Sequence, residues 1–420
     1  MLVRISPRGR LWSHRDFKRL WFSDTVSQLG NQFTTLALPI MAVLLFHAST
    51  FEMGLLLALQ TIPFPILGLF VGVWADRLRK LPIMIMCNLG RMATLASIPI
   101  TYYFNALSLC ELFIVAAVNG VFTVFFEISY QSYLPVLIDR VDLVEGNAKL
   151  QTSASGAQVV GPGIAGFVYQ FVGGALTIAV DAAGYLASAL ALLSIQKCEQ
   201  RPVVKSALNG KSGFFSEMKE GVGIVFRHSI LWRLMSCTAT ANFGGAIGGA
   251  VFVIFLVNML KFSPALIGLV GTVGAVGFLF GTVLAPNITK HIGLGPAIAL
   301  SILVSAISMI SPLALYGAAF LVIGVIGFVT GFALPIYNIN QVSFRQSIVP
   351  ERLQGRLNAT FRTVNWGTLP VGSIVGGILG TYLGIVPTIL VGGAVSGLAV
   401  LWVIAREVLG LKEIPIIELT

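Results

Sequence analysis

Runs of about 20 apolar residues recur from one end of this chain to the other. Each is long enough to cross the hydrocarbon core of a bilayer as a helix. A spanning helix keeps all its backbone hydrogen bonds within the segment, which lipid demands. Twelve such spans can be read, at about 20–46, 53–75, 82–104, 110–134, 151–172, 175–195, 231–260, 264–288, 296–316, 319–344, 358–383 and 386–404. The composition agrees, at 56% hydrophobic and 10% charged, where a soluble domain carries about a quarter charged residues. The expected fold is an all-α polytopic membrane protein of two six-helix bundles, at 1–196 and 229–420. A cytoplasmic linker at 197–228 joins them, and its second part, 213–227, is amphipathic enough to lie on a membrane surface.

The same residues exclude several functions. The net charge of +10 comes from basic residues in short loops and at the N-terminus, so nucleic acid is not an expected partner. Met1 to Arg19 is basic without an apolar core, unlike a cleavable signal peptide. Cys87, Cys110, Cys198 and Cys237 form no CxxC pair, so neither a zinc site nor a disulfide framework is indicated. His14, His47, His228 and His291 all fall at loops or span ends, and no catalytic constellation appears. No Walker loop is present, which argues against ATP as the energy source. No enzyme, metal or cofactor is expected.

Topology follows from Lys and Arg. With the N-terminus in the cytoplasm, 25 of the 27 basic residues fall inside, Lys261 falls outside and Arg91 lies within the third span. The two halves also echo one another. Gly72 and Asp76 recur as Gly281 and Ala285, Asn147-Ala148 as Asn358-Ala359, and Leu134-Pro135 as Val349-Pro350. All three matches lie near one offset, about half the chain, as a duplicated six-helix unit requires.

Between the second and third spans runs Gly72-Val73-Trp74-Ala75-Asp76-Arg77-Leu78-Arg79-Lys80. Gly72 permits close helix approach, Asp76 suits a neighbouring helix N-terminus, and Arg77, Arg79 and Lys80 suit the cytoplasmic headgroup level. The stretch resembles the signature loop of the major facilitator superfamily, with the Gly before the last basic pair missing. Gly161-Pro162-Gly163-Ile164-Ala165-Gly166 in the fifth span is similar to the motif of that superfamily's proton-driven exporters. Leu29-Gly30-Asn31, Ala37-Leu38-Pro39, Leu134-Pro135, Gly355-Arg356 and Pro370-Val371-Gly372 resemble the bacterial macrolide-efflux and enterobactin-exporter branch. The resemblance implies that the first, fourth, seventh and tenth spans line a central cavity. It implies too that the fifth packs on the eighth and the second on the eleventh. Gly268, Gly271, Gly274, Gly277 and Gly281 in the eighth, and Gly372, Gly376, Gly377 and Gly380 in the eleventh, read as stripes along one helical face.

Polar groups inside the bilayer are costly and mark function or helix-to-helix bonds. In the first span Asp24, Ser27, Gln28, Asn31 and Thr35 share a face. Asn338 and Gln341 do the same in the tenth, beside Tyr337 and Asn340, and Asn242 lies in the seventh. Gln28, Asn31, Phe126, Asn242, Tyr337, Asn338 and Gln341 are the candidates for the substrate cavity, and either cavity lining or interhelical bonding explains each amide. The aromatics Phe33, Phe122, Phe125, Phe126, Tyr130, Phe243, Phe332, Tyr337 and Trp366 suit an amphipathic organic substrate. Asp24, Arg91 and Glu127 lie at similar depth, about 10 Å below the cytoplasmic interface. They are the candidates for proton coupling, with Asp24 as the carrier and Glu127 paired to Arg91. Asp181, in a span that the resemblance makes a supporting one, reads as structural.

The expected protein is a monomeric exporter in a bacterial cytoplasmic membrane, with both termini inside, moving a drug-like or siderophore-like molecule against protons. An uncoupled facilitator or importer, or a non-transporting sensor of the same fold, are the competing readings. If Asp76, Arg77 and Arg79 hold the outward-facing state through neighbouring helix ends such as 358–362, Asp76→Asn will reduce transport while leaving membrane expression intact. Wild-type efflux by that variant would count against the gate.

Overall fold

The computed structural model describes residues 10–68, 71, 78–197, 199, 223, 225–226, 228–349 and 351–411, without the side chains of 10, 140, 351–352 and 355–356. Among the described residues twelve long helices follow one another. They are α1 (Arg15–Phe46), α2 (Thr50–Gly68), α3 (Lys80–Tyr103), α4 (Leu109–Leu137), α5 (Leu143–Val172) and α6 (Gly174–Leu193). Then come α7 (Ser229–Met259), α8 (Pro264–Ile292), α9 (Leu294–Tyr316), α10 (Ala319–Ile348), α11 (Glu351–Leu383) and α12 (Ile385–Trp402). Among the described residues ten of them are long and apolar enough to cross a membrane. The other two, α5 and α11, run 30 and 33 residues. Both open with polar turns, Glu145 to Lys149 in α5 and Glu351 to Arg362 in α11, which lowers their apolar content.

Local chemistry sets the helix ends. α2 starts with a capping box, in which Ser49 Oγ accepts from Glu52 N–H and Glu52 accepts from Ser49 N–H. α3 starts where the Lys80 and Leu81 N–H groups donate to the Glu199 carboxylate, at 2.9 and 3.1 Å, an anion on the positive end of the helix dipole. The last part of α9, Ala306–Tyr316, tightens to a 3-10 helix. Ser305, just before it, and Ser308 and Ser311 within it each donate to a carbonyl three residues back, at 2.6, 3.0 and 2.7 Å.

Contacts divide the chain into two units. Unit 1 holds Met1–Phe46, Ile66–Lys205 and Ser263–Thr272, and unit 2 holds His47–Pro65, Ser206–Phe262 and Val273–Thr420. In unit 1, α1 packs on α5 and α6, α3 packs on α6, and α4 packs on α3. In unit 2, α7 packs on α11 and α12, α9 packs on α12, and α10 packs on α9. The pairings repeat, shifted by six helices. α5 and α6 meet at Gly173, α11 and α12 at Gly384, 211 residues on, with φ of 81° and 89°. Side chains rarely adopt that region, so the duplication reaches the backbone.

Glycine seams join the helices within each unit. In unit 1, Gly166 of α5 meets Gly268 of α8, and a Cβ on either would lie 2.9 Å from the other's Cα. Pro162 packs on Gly271, and Gly161 packs on Gln32 of α1. In unit 2, Gly54 of α2 meets Gly377 of α11 in the same manner. The stripes do not keep to one face. Gly268 and Gly271 face α5, whereas Gly274, Gly277 and Gly281 face Gly327, Phe328 and Phe332 of α10. At 3.6 residues per turn, steps of three residues rotate about 60° each, so nine residues carry the stripe to the opposite side. In α11, Gly377 faces α2, Gly372 and Gly376 face α7, and Gly380 touches both.

Gly268→Val places a branched side chain against the Pro162 carbonyl and Gly166. Overpacking of this kind costs about 1–3 kcal/mol, so the variant's Tm in detergent will fall. Gly156→Ala, which meets nothing within 4 Å inside a helix, will not lower Tm.

Candidate functional site

Unit 1 encloses a cavity of about 60 Å³ lined by Asp24, Ser27, Gln28, Asn31, Arg91, Thr123, Phe126, Glu127, Tyr130 and Tyr185. That volume holds a few waters and not a drug-sized molecule. The helical period explains the α1 contribution, since Asp24, Ser27, Gln28 and Asn31 fall on successive turns of one face. Thr35, expected on that face, is exposed. Asp24 is 2% exposed, and the neutral side chains of Tyr130 and Gln28 face its carboxylate. Phe126 and Tyr130 stack at 6.0 Å between centroids.

Arg91 is 4% exposed and makes no ion pair with any described residue, in place of the expected pair with Glu127. Its guanidinium lies 4.9 Å from the Phe126 ring centroid and 5.1 Å from that of Tyr185, and its Nε has no hydrogen-bond partner. Two aromatic faces thus hold a desolvated cation, an arrangement worth about 2 kcal/mol for a well-placed face. Depth along the helix was readable from the sequence, whereas the two flanking rings depend on helix rotation.

Behind the cavity a polar knot ties α1 and α3 to α6. Ser188 Oγ lies 2.6 Å from Ser23 Oγ, accepts from Ser27 Oγ at 2.8 Å and from Asn88 Nδ2 at 2.7 Å, and donates to the Ser23 carbonyl at 3.0 Å. Ser188, Tyr185 and Asp181 lie three and four residues apart on α6, a polar stripe in an otherwise apolar helix. That spacing was visible in the sequence. Tyr185 and Ser188 escaped notice because the resemblance cast α6 as a supporting helix.

The unit 2 candidates lie in different surroundings. Tyr337 is 3% exposed, sits in the hydrophobic core and lies 2.5 Å from the Thr238 hydroxyl. Asn242 donates to the Asn365 carbonyl at 3.1 Å, linking α7 to α11. Gln341 is buried with its Oε1 unpartnered, and Asn338 is exposed. Of the expected gate, Gly72, Asp76 and Arg77 lie outside the described residues, as does most of the linker 197–228. Arg79 is exposed, and Lys80 Nζ lies 3.8 Å from Glu199. Among the described residues no three metal-ligating side chains converge.

The family model of the Major Facilitator Superfamily matches residues 20–365. Macrolide efflux protein A of Streptococcus pyogenes is 23% identical over 379 residues, covering 88% of this chain and 90% of that protein. Enterobactin exporter EntS of Salmonella paratyphi A is 22% identical over 415 residues, 95% of this chain and 94% of that protein. The solved nucleoside transporter NupG superposes with a TM-score of 0.69 at 16% identity, covering 94% of this chain and 99% of that one.

Arg91→Met keeps much of the side-chain volume and removes the buried charge. A Met side chain can pack against the same Phe126 and Tyr185 faces, so Tm will hold within a few degrees. Transport will fall by about tenfold or more, ~1.4 kcal/mol of lost function. A large drop in Tm would show Arg91 to be a packing strut instead.

Proposed function

This chain belongs to the Major Facilitator Superfamily, and from that premise we propose that it exports a small amphipathic organic molecule by proton antiport with alternating access. The observation that carries the coupling is Asp24, a buried carboxylate on the cavity wall, faced by the neutral Tyr130 and Gln28 and without an ion pair among the described residues. Such a group binds a proton when the cavity meets an acidic side and releases it on the other. Export follows if substrate binding, in a state that opens wider than the small cavity described above, and protonation of Asp24 each weaken the other's hold. Aromatic walls at Phe126 and Tyr130, and efflux-pump relatives such as the macrolide and enterobactin exporters, support an amphipathic substrate of drug, macrolide or siderophore type. Phe126, Gln28 and Asn31 are the proposed contacts in unit 1, and Asn242, Tyr337, Asn338 and Gln341 in unit 2. Gly161, Pro162 and Gly166 form the packing ridge that keeps α5 on its neighbours. The protein works as a monomer in a bacterial cytoplasmic membrane, with both termini inside.

Inverted vesicles with an acidic interior and a dansyl-labelled macrolide test this. Wild type will concentrate the probe. Asp24→Asn will bind it, by fluorescence anisotropy, but lose the response to the pH gradient. Continued concentration by Asp24→Asn would remove Asp24 from the carrier role, and equilibration without concentration by wild type would mark an uncoupled facilitator.

A further inference from the structure

We propose that Asp181 is a second proton-binding residue of the transport cycle, set in the seam between α1 and α6 behind the cavity; this rests on the proton-coupled reading above. Asp181 has no exposed surface. Its Oδ2 accepts a hydrogen bond from Thr34 Oγ1 of α1, and its Oδ1 has no hydrogen-bond partner. An ionised carboxylate offers about four acceptor sites, and one neutral donor leaves it badly under-solvated at this depth. A proton on Oδ2 reverses the bond, so that the acid donates to Thr34 Oγ1. Oδ1 is then an ordinary carbonyl oxygen, far cheaper to leave unpaired than half of an anion. Nothing else changes hands: a proton arrives from the cavity, the O–H bond forms, and the same proton leaves on release.

The seam is shaped for this carboxyl group. Gly30 of α1 gives it room, for a Cβ there would overlap Asp181 Oδ1. The duplicated unit shows that the seam does not need an acid to close. In unit 2 the residue 211 positions on is Gly392 of α12, which packs on α7 through backbone alone. A Cβ on it would lie 2.6 Å from Gly248 N and 2.8 Å from the Gly244 carbonyl. Glycine suffices there, so the carboxyl group of unit 1 is an addition to the packing.

The cavity wall comes close to Asp181. Tyr185, one turn along α6, lines the cavity and interacts with both Asp181 and Arg91. The groups facing Asp181 are Thr34 and Gly30 from α1, Arg91 from α3 at electrostatic range without an ion pair, and Tyr185 from α6 itself. Among the described residues α5 presents no titratable group to it. On the same α1 turns, Gly30 and Thr34 face α6 while Asn31 lines the cavity. Charging Asp181 therefore acts on the seam that positions the cavity wall.

Infrared difference spectra of the purified full chain in nanodiscs, titrated from acid to alkaline pH without substrate, test the assignment. A protonated buried carboxyl shows a carbonyl stretch that shifts in D2O. Wild type will show a band that Asp181→Asn lacks and Asp24→Asn keeps, and Thr34→Val will move that band's frequency. In inverted vesicles carrying the dansyl-labelled macrolide, Asp181→Asn will lose about one factor of ten per pH unit from the gradient response, the slope of one proton. Asp181→Asn keeping every wild-type carboxyl band across the titration overturns the proposal, as does a Thr34→Val spectrum identical to wild type. Failure of wild type to move the probe counts against the export reading alone, because the spectra need no transport.

Discussion

Helices in lipid have no hydrophobic reason to touch one another, so this fold depends on how closely their backbones can approach. The contacts Gly166–Gly268 in unit 1 and Gly54–Gly377 in unit 2 are built for that approach. Dispersion between backbones and small residues replaces the solvent-driven burial that holds a soluble core. Polar ties then fix the rotation of each helix. The Ser188 knot orients α1 and α3 about α6, and the rotation it sets turns Asp24, Gln28 and Asn31 towards the cavity.

The fold is duplicated and the chemistry is not. At an offset of 211, Asp24 corresponds to Met235, Arg91 to Ile302, Glu127 to Asn338 and Asp181 to Gly392. Each of these intramembrane charges of unit 1 has an uncharged counterpart. Unit 2 fills the corresponding region with the core around Tyr337 and Thr238. One repeat therefore carries these intramembrane ionisable groups, and the other presents amides and aromatics.

The spans and the duplication were legible in the sequence because apolar length is a local property and repeats register along one line. Asp24, Arg91 and Glu127 could be set at one depth by counting residues. What counting leaves open is azimuth. Which ring flanks Arg91, which neighbour each glycine of α8 meets, and which hydroxyl reaches Asp181 all depend on rotations fixed by residues far away in sequence. Thr34 and Asp181 are 147 residues apart. Glu199 capping α3 from 118 or 119 residues downstream is similar, since no local pattern announces a distant cap.

The stripe on α6 also has a consequence for biogenesis. α6 must enter the bilayer carrying Asp181, and an acid near the centre of a spanning helix costs about 2.5–3.5 kcal/mol at the translocon. Thr34, Ser23, Ser27 and Asn88, the hydrogen-bond partners of its polar stripe, all lie on α1 and α3. Ribosomal synthesis delivers both of those helices before α6 emerges. α6 then settles by docking on helices already in place, so the nascent chain is its own template. α12, with Gly392 in place of the acid, enters without that charge.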